Sequence, residues 1–304
     1  MSIRVRSYKG PGDFERIGHF LVKTYQPKRK LGNWLQPRWE YMYYHPDLDE
    51  SALNRIGVWE DDGNIVGVAV YEMRLGEVYF QIHPDFAHLK SDMLKYAENH
   101  LPAELDDERR YVRAYINDFD IEFESIAKLQ GYKKCEDTPE PESQFTITDP
   151  FPTISLPAEF QFKSLQDDND LNKIHRVLHR GFNHPGDPPE EGIEGRRKME
   201  SAPNFRRALN IVVEAPEGSF ASYCGMWYEA SNKIAYVEPV ATDPDYRRMG
   251  LGTAAVLEGI RRCGELGATV AFVGTARTFY TAMGFRKIFT RYPWIKHFDL
   301  GFPT

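Results

Sequence analysis

The amino-acid sequence runs through one set of signals twice, in the same order and at a spacing of roughly 155 residues, so the fold must be one that 304 residues can build two times. In the first half, Ile56-Gly57-Val58-Trp59-Glu60 leads through the turn Asp61-Asp62-Gly63-Asn64 into Ile65-Val66-Gly67-Val68-Ala69-Val70-Tyr71. In the second, Ile211-Val212-Val213-Glu214 leads through Ala215-Pro216-Glu217-Gly218 into Ser219-Phe220-Ala221-Ser222-Tyr223-Cys224. Both read as β-hairpins, two apolar strands around a turn that carries glycine. Further on, His83-Pro84-Asp85-Phe86 matches Asp243-Pro244-Asp245-Tyr246, and each half nears its end with a glycine-aromatic pair, Gly131-Tyr132 and Gly284-Phe285. A stretch holding Pro139, Pro141, Pro150, Pro152 and Pro157 separates the halves and suits an extended linker. The expected organisation is two domains, residues 1–151 and 152–304, with Gln144-Phe145-Thr146-Ile147 as the strand that closes the first copy.

The second copy mixes strands and helices without regular alternation. Phe160 to Leu165 alternates as a strand, and Asp168, Asn169 or Asp170 can cap a helix through Leu171, Ile174, Val177, Leu178 and Phe182. A broken segment, Asn183 to Pro189, precedes a further helix over Gly192 to Ser201. Strands are expected at Leu209–Glu214, Phe220–Glu229 and Ile234–Thr242. A helix from Thr253 to Leu266 follows, apolar on one face at Val256, Leu257, Ile260, Cys263 and Leu266, with Gly267 as its stop. Then come a buried strand at Thr269–Val273, a short helix through Phe279-Tyr280 and a last strand from Phe285. The fold class is α+β, or mixed α/β, and not a Rossmann arrangement.

Charge and composition exclude several functions. A net charge of −7 with no basic stripe argues against nucleic acid as partner. No apolar run approaches the ~18 residues of a membrane span, and Met1 to Arg6 lacks the apolar stretch of a signal peptide, so a cytoplasmic protein is expected. Cys135, Cys224 and Cys263 are too widely spaced for a disulfide framework or a zinc site. His175 and His179 stand four apart on a helix without the Glu of a metalloprotease motif, and no metal is expected.

The chemistry concentrates where the strand Tyr236-Val237-Glu238-Pro239-Val240-Ala241-Thr242 runs through a loop into the next helix. That loop, Arg247-Arg248-Met249-Gly250-Leu251-Gly252, places two glycines at a helix start. Glycine allows close approach of backbone to a ligand, and the free N–H groups and dipole of a helix N-terminus favour phosphate. Two arginines add positive charge. A Walker loop is excluded because Thr253-Ala254 follows the second glycine where Lys and Ser or Thr are needed. A dinucleotide fingerprint fits at Ala255, but Asp243-Pro244-Asp245-Tyr246 makes the loop too long for the tight Rossmann turn.

The run Glu238 to Gly252 resembles the acetyl-CoA motif of the GNAT superfamily of N-acetyltransferases, with Arg247, Gly250 and Gly252 at its defining positions. Phe279-Tyr280-Thr281-Ala282-Met283-Gly284-Phe285 is similar to the family's second signature, a Tyr four residues before a Gly-aromatic pair. The resemblance implies two tandem domains, each a central, mostly antiparallel sheet flanked by helices. It implies that the backbone of Val240, Ala241 and Thr242 pairs with the pantetheine arm of acetyl-CoA. The amides of Arg248, Met249, Gly250, Leu251, Gly252 and Thr253 would then hold the pyrophosphate. It further implies Glu238 as base, directly or through water, and Tyr280 as the acid beside the sulfur. The strand before the Tyr helix departs from the family pattern, with Val273, Gly274 and Thr275 where many members have Asn.

The first copy departs further. Its loop reads Ala87-His88-Leu89-Lys90-Ser91-Asp92, with Lys90 and Asp92 at the glycine positions and Ala127 at the Tyr position. It is expected to be a degenerate GNAT-like domain without a cofactor loop. The expected activity is transfer of an acetyl group from acetyl-CoA to a primary amine, on a small molecule or a peptide. The alternative is a non-catalytic acyl-CoA sensor or interaction module. No sequence feature sets an oligomeric state. Asp187, Glu190, Glu191 and Glu194 lie in the segment expected to line the acceptor side.

Overall fold

A computed structural model describes residues 3–27, 32–106 and 109–299. The chain divides into two compact units that interleave in sequence. The first holds residues 1–42, 47–141 and 289–304, and the second holds 43–46 and 142–288.

In the first unit the strands β1 (Arg4–Ser7), β2 (Gly57–Asp61), β3 (Asn64–Tyr71), β4 (Glu77–Ile82), β5 (Ala103–Glu104), β6 (Arg109–Asn117) and β7 (Lys133–Lys134) are accompanied, among the described residues, by four α-helices and two short 3-10 helices. The α-helices are α1 (Pro11–Thr24), α2 (Gln36–Tyr43), α3 (Lys90–His100) and α4 (Ile121–Leu129). Neighbours β1 to β4 pair antiparallel, whereas β4 pairs parallel with β6 over Glu77–Arg113 and Val78–Ala114 only.

The second unit contains β8 (Glu140–Thr146, its residues from 142), β9 (Gln161–Ser164), α5 (Leu171–Gly181), α6 (Gly192–Glu200), β10 (Ile211–Glu214), β11 (Phe220–Glu229) and β12 (Ile234–Thr242). It continues through α7 (Leu251–Glu265), β13 (Val270–Val273) and α8 (Thr278–Ala282) into β14 (Arg286–Asp299). Strands β9 to β12 pair antiparallel in the order β9-β10-β11-β12, and β12 pairs parallel with β13. The strand order and the single parallel step repeat those of the first unit, as the internal duplication requires.

The closing strands differ from the sequence expectation. Residues 143–146 of β8 pair antiparallel with β13 in the second unit and do not close the first copy. The first unit is instead closed by β14, whose residues from Arg291 to Asp299 run antiparallel to β6. Period-two alternation marks a strand and its buried face but says nothing of its partner. Phe145 packs 5.5 Å from the Phe285 ring, inside the core of the second unit. The break expected at 151/152 therefore does not coincide with the edges of the units.

The core of the second unit has two sides because β10 and β11 are buried on both faces. Ile211, Val213, Met226, Ala235 and Val237 meet Val256, Ile260 and Cys263 of α7. Val212, Tyr223 and Ala241 meet Ile174, Val177 and Leu178 of α5. Helix α5 starts at the cap Asp170, whose carboxylate accepts from the amides of Asn172 and Lys173. Helix α7 stops before Gly267 at φ +102°, a conformation that favours glycine, and Leu266, expected on its apolar face, is exposed.

Candidate active site

The site begins where two parallel strands part. Strand β12 pairs with β13 at Ile234–Val270, Ala235–Ala271 and Tyr236–Phe272, and no further. Beyond Tyr236 the β13-facing edge of β12 has no strand partner, while its other edge stays on β11 as far as Thr242. A bulge opposite Gly225 sets the angle. The register slips between Cys224 and Met226, and a Cβ at Gly225 would lie 2.5 Å from the carbonyl oxygen of Glu238. Trp227 Nε1 donates to that same oxygen at 2.9 Å.

Helix α7 starts in front of the gap. Gly250 is its N-cap in the left-handed region at φ +82°, and no side chain caps the helix. The first-turn N–H groups thus face outward without a protein acceptor, the arrangement that receives an anion. A Cβ at Gly250 would meet nothing within 4 Å, so the space in front of this turn is open. Gly252 serves packing instead: a Cβ there would lie 2.8 Å from Thr242 Oγ1 and 3.3 Å from the Phe279 ring. Arg248 is exposed at φ +69°, and Met249 is exposed as well. Leu251 is buried in the core, and Thr253 is half-buried.

Arg247 is placed otherwise than a cation reserved for phosphate. Its Nη2 donates to the Gly181 carbonyl at 2.9 Å and to Asn183 Oδ1 at 2.8 Å, and Nε to the Thr242 carbonyl at 3.3 Å. It ties the loop to the end of α5. A second tie, which the sequence reading missed, is Asp243. This carboxylate is fully buried and accepts from Arg180 Nε at 2.7 Å, Arg180 Nη2 at 3.0 Å and Arg176 Nη1 at 3.0 Å. Burial alone would raise its pKa, but the hydrogen bonds from Arg180 and the Asp245 amide overcome it and leave the carboxyl below its ordinary range. The signal was present in the i, i+4 spacing of Arg176 and Arg180 on α5.

Glu238 stands on β12 just past its last pairing with β13, and Tyr280 stands on α8. Glu238 is half-buried and lines a small cavity together with Pro239, Tyr223, Trp227, Arg196 and Glu200. Tyr280 is 9% exposed, its ring edge-on to Phe279 at 4.9 Å and to Phe285 at 5.5 Å. Its phenol is held well above the ordinary pKa, first by burial and then by the nearby Cys224 and Glu238. It stays protonated at neutral pH, and its hydroxyl finds no hydrogen-bond partner among the described residues. Cys224 is fully buried with its Sγ 3.7 Å from Met226 Sδ, and burial pushes its thiol up, which keeps it an uncharged core group. His175 is likewise committed, with Nε2 against the Pro189 carbonyl at 2.9 Å. No group of three metal-ligating side chains occurs among the described residues.

The equivalent place in the first unit is built differently. Strands β4 and β6 part after Val78 and Ala114, but the opening is walled by Phe80, Tyr115, Phe119 and Lys90. Lys90 begins α3 where Gly250 caps α7, and its Nζ is held at 2.8 Å by Asp120 and at 2.7 Å by Glu122. Asp92 is exposed beside Lys95, and Ala127 is buried at the position of Tyr280.

Three comparisons place these features. The family profile described as "Acetyltransferase (GNAT) family" matches residues 173–285. No curated protein matches the chain in sequence. Among solved structures, a GCN5-related N-acetyltransferase from Sphaerobacter thermophilus superposes with a TM-score of 0.66 at 16% identity, covering 99% of this chain and 98% of that one. A tandem GNAT protein from the clavulanic acid biosynthesis pathway gives 0.66 at 13% identity, with both chains covered over 100% of their length. A GNAT-family acetyltransferase from Colwellia psychrerythraea gives 0.57 at 9% identity, covering 96% and 99%. The described residues contain no helix long and apolar enough to cross a membrane. Residues 173–285 match the GNAT acetyltransferase family, and the whole chain has the fold of tandem GNAT proteins.

Proposed function

We propose that the second unit transfers an acetyl group from acetyl-CoA to a primary amine, and that the first unit is a degenerate copy that does not bind the cofactor. The observation that carries this reading is the parting of β12 and β13 in front of the uncapped start of α7, with Glu238 and Tyr280 beside the gap. Acetyl-CoA fits these parts. The free edge of Val240, Ala241 and Thr242 can pair with its amide-bearing pantetheine arm. The amides from Arg248 to Thr253 can take the pyrophosphate at the helix start.

In the reaction, the amine nitrogen attacks the thioester carbonyl carbon, a C–N bond forms and the C–S bond breaks. Glu238 accepts the proton the amine must lose, directly or through a water in the adjoining cavity. Tyr280 gives its proton to the departing thiolate. Burial holds the phenol in its protonated form at neutral pH, the form that carries the proton to be given, and makes the phenolate left behind costlier. Glu238 and Tyr280 thus divide base and acid.

The test is release of free thiol from acetyl-CoA by the purified full chain against a panel of primary amines, including peptide N-termini and lysine. Amine-dependent release with formation of the acetylated amine is the expected result. Tight acetyl-CoA binding without amine-dependent release would contradict this reading and identify a non-catalytic acyl-CoA sensor.

A further inference from the structure

The cavity beside Glu238 is lined by two charged groups that each hold a buried polar atom without a protein partner, Arg196 Nε and Glu200 Oε1. Arg196 and Glu200 stand four residues apart on α6 and both line it. They do not pair with each other. Arg196 Nε is shielded from solvent and unpartnered, and no ion pair engages its guanidinium among the described residues. Glu200 uses Oε2 for Asn169 at 2.9 Å and for Arg207, while its Oε1 is buried with no hydrogen-bond partner. Buried polar groups normally find partners, and leaving one unmade costs about 1–3 kcal/mol. Two such orphans on one wall, in a cavity that Glu238 also lines, leave a donor and an acceptor open to a ligand.

The complement of this wall is a zwitterion. Glu238 and Glu200 Oε1 accept hydrogen bonds, and Arg196 donates them. The cavity measures about 20 Å³, which by the same measure is room for one or two waters. The enclosed part takes only a small end group, so the rest of a ligand lies outside it. The planar guanidinium fork suits a carboxylate. Tyr223, Trp227 and Met199 close the remaining sides, so the end group that enters is largely removed from water.

From these partners we infer that the acceptor is a free amino acid, its ammonium held at Glu238 and Glu200 and its carboxylate taken by Arg196. This rests on the acetyl-transfer reading above and names the substrate class of that same site. Arg196 is the specificity-determining residue; Glu200 positions the amine.

The experiment compares free amino acids with their C-terminal amides and with the decarboxylated amines. Both turnover, as kcat/KM by thiol release, and binding, by isothermal titration of the full chain, are measured. Free amino acids are expected to exceed their amides in kcat/KM roughly 10- to 100-fold, as one charge-assisted hydrogen-bond pair gives. Arg196→Gln should collapse that ratio toward one, Arg196→Lys should restore part of it, and Arg197→Gln, an exposed neighbour paired with Glu194, should leave it in place. Retained acetyl-CoA binding in the Arg196 variants shows that they are folded. Amine acetylation with no preference for the carboxylate, or a ratio unmoved in Arg196→Gln, overturns the inference and leaves acetyl transfer standing. Amino-acid binding that depends on Arg196 without any turnover supports the pocket and overturns acetyl transfer. The absence of both binding and turnover of amino acids overturns the inference.

Discussion

Tyr280 is the residue whose surroundings speak most directly to chemistry. It is packed between Phe279 and Phe285, held protonated by burial, and placed in the field of Glu238 and Cys224. An aromatic on a five-residue helix is ordinarily a core group, and the acid role proposed for Tyr280 rests on its likeness to the family's second signature. We expect Tyr280→Phe to lower turnover roughly 10²- to 10³-fold with acetyl-CoA affinity nearly unchanged, the usual scale for loss of a general acid. Steady-state kinetics alongside titration of the cofactor measure both, and unchanged turnover would show that the ring only packs. The position of Glu238 was legible because it shares a strand with the motif, and its role as base is part of the proposal. Arg247 was legible as part of the loop but not in its bonds, which go to Gly181, Asn183 and Thr242. Arg196 and Glu200 could not be read at all, because an arginine and a glutamate four apart on a helix look like a solvated pair until their partners are counted.

At the scale of elements, β11, β12 and α6 begin where their patterns begin, and α7 starts two residues earlier than the sequence suggests because Gly250 itself caps it. The junction of β12 and α7 is the element pair on which the site depends. Gly252 lets the helix close on Thr242 and Phe279, and even a methyl group there must displace one of them. Gly252→Ala is expected to cost about 1–3 kcal/mol by overpacking and to weaken acetyl-CoA binding, because the shift moves the amides at the helix start. Chemical denaturation with cofactor titration checks this, and wild-type stability would show that the junction has slack. The partner of each closing strand was not legible. The residues 143–146 and 291–299 carry good strand patterns, yet their placement follows from the pairing of β13 with β8 and of β6 with β14, long-range choices that alternation does not encode.

Over the whole molecule, duplication gives two sets of strands of the same order with the same parting of parallel strands, and the second has a left-handed glycine with open space before it at its helix start, where the first has Leu89 and Lys90. In the first unit, Lys90 with Asp120 and Glu122 stands where the glycine loop would be, so two carboxylates lie near the place a pyrophosphate would take. Like charges weaken anion binding, and micromolar affinity has only about 8 kcal/mol in all. The duplication and the contrast between the loops were both readable in the sequence, while the ion pairs that fill the first were not. The most direct test of one working site per chain is isothermal titration of the full chain with acetyl-CoA. A stoichiometry near one is expected, lost in Gly250→Asp and kept in Lys90→Ala. A stoichiometry near two, or tight binding that survives Gly250→Asp, would contradict it.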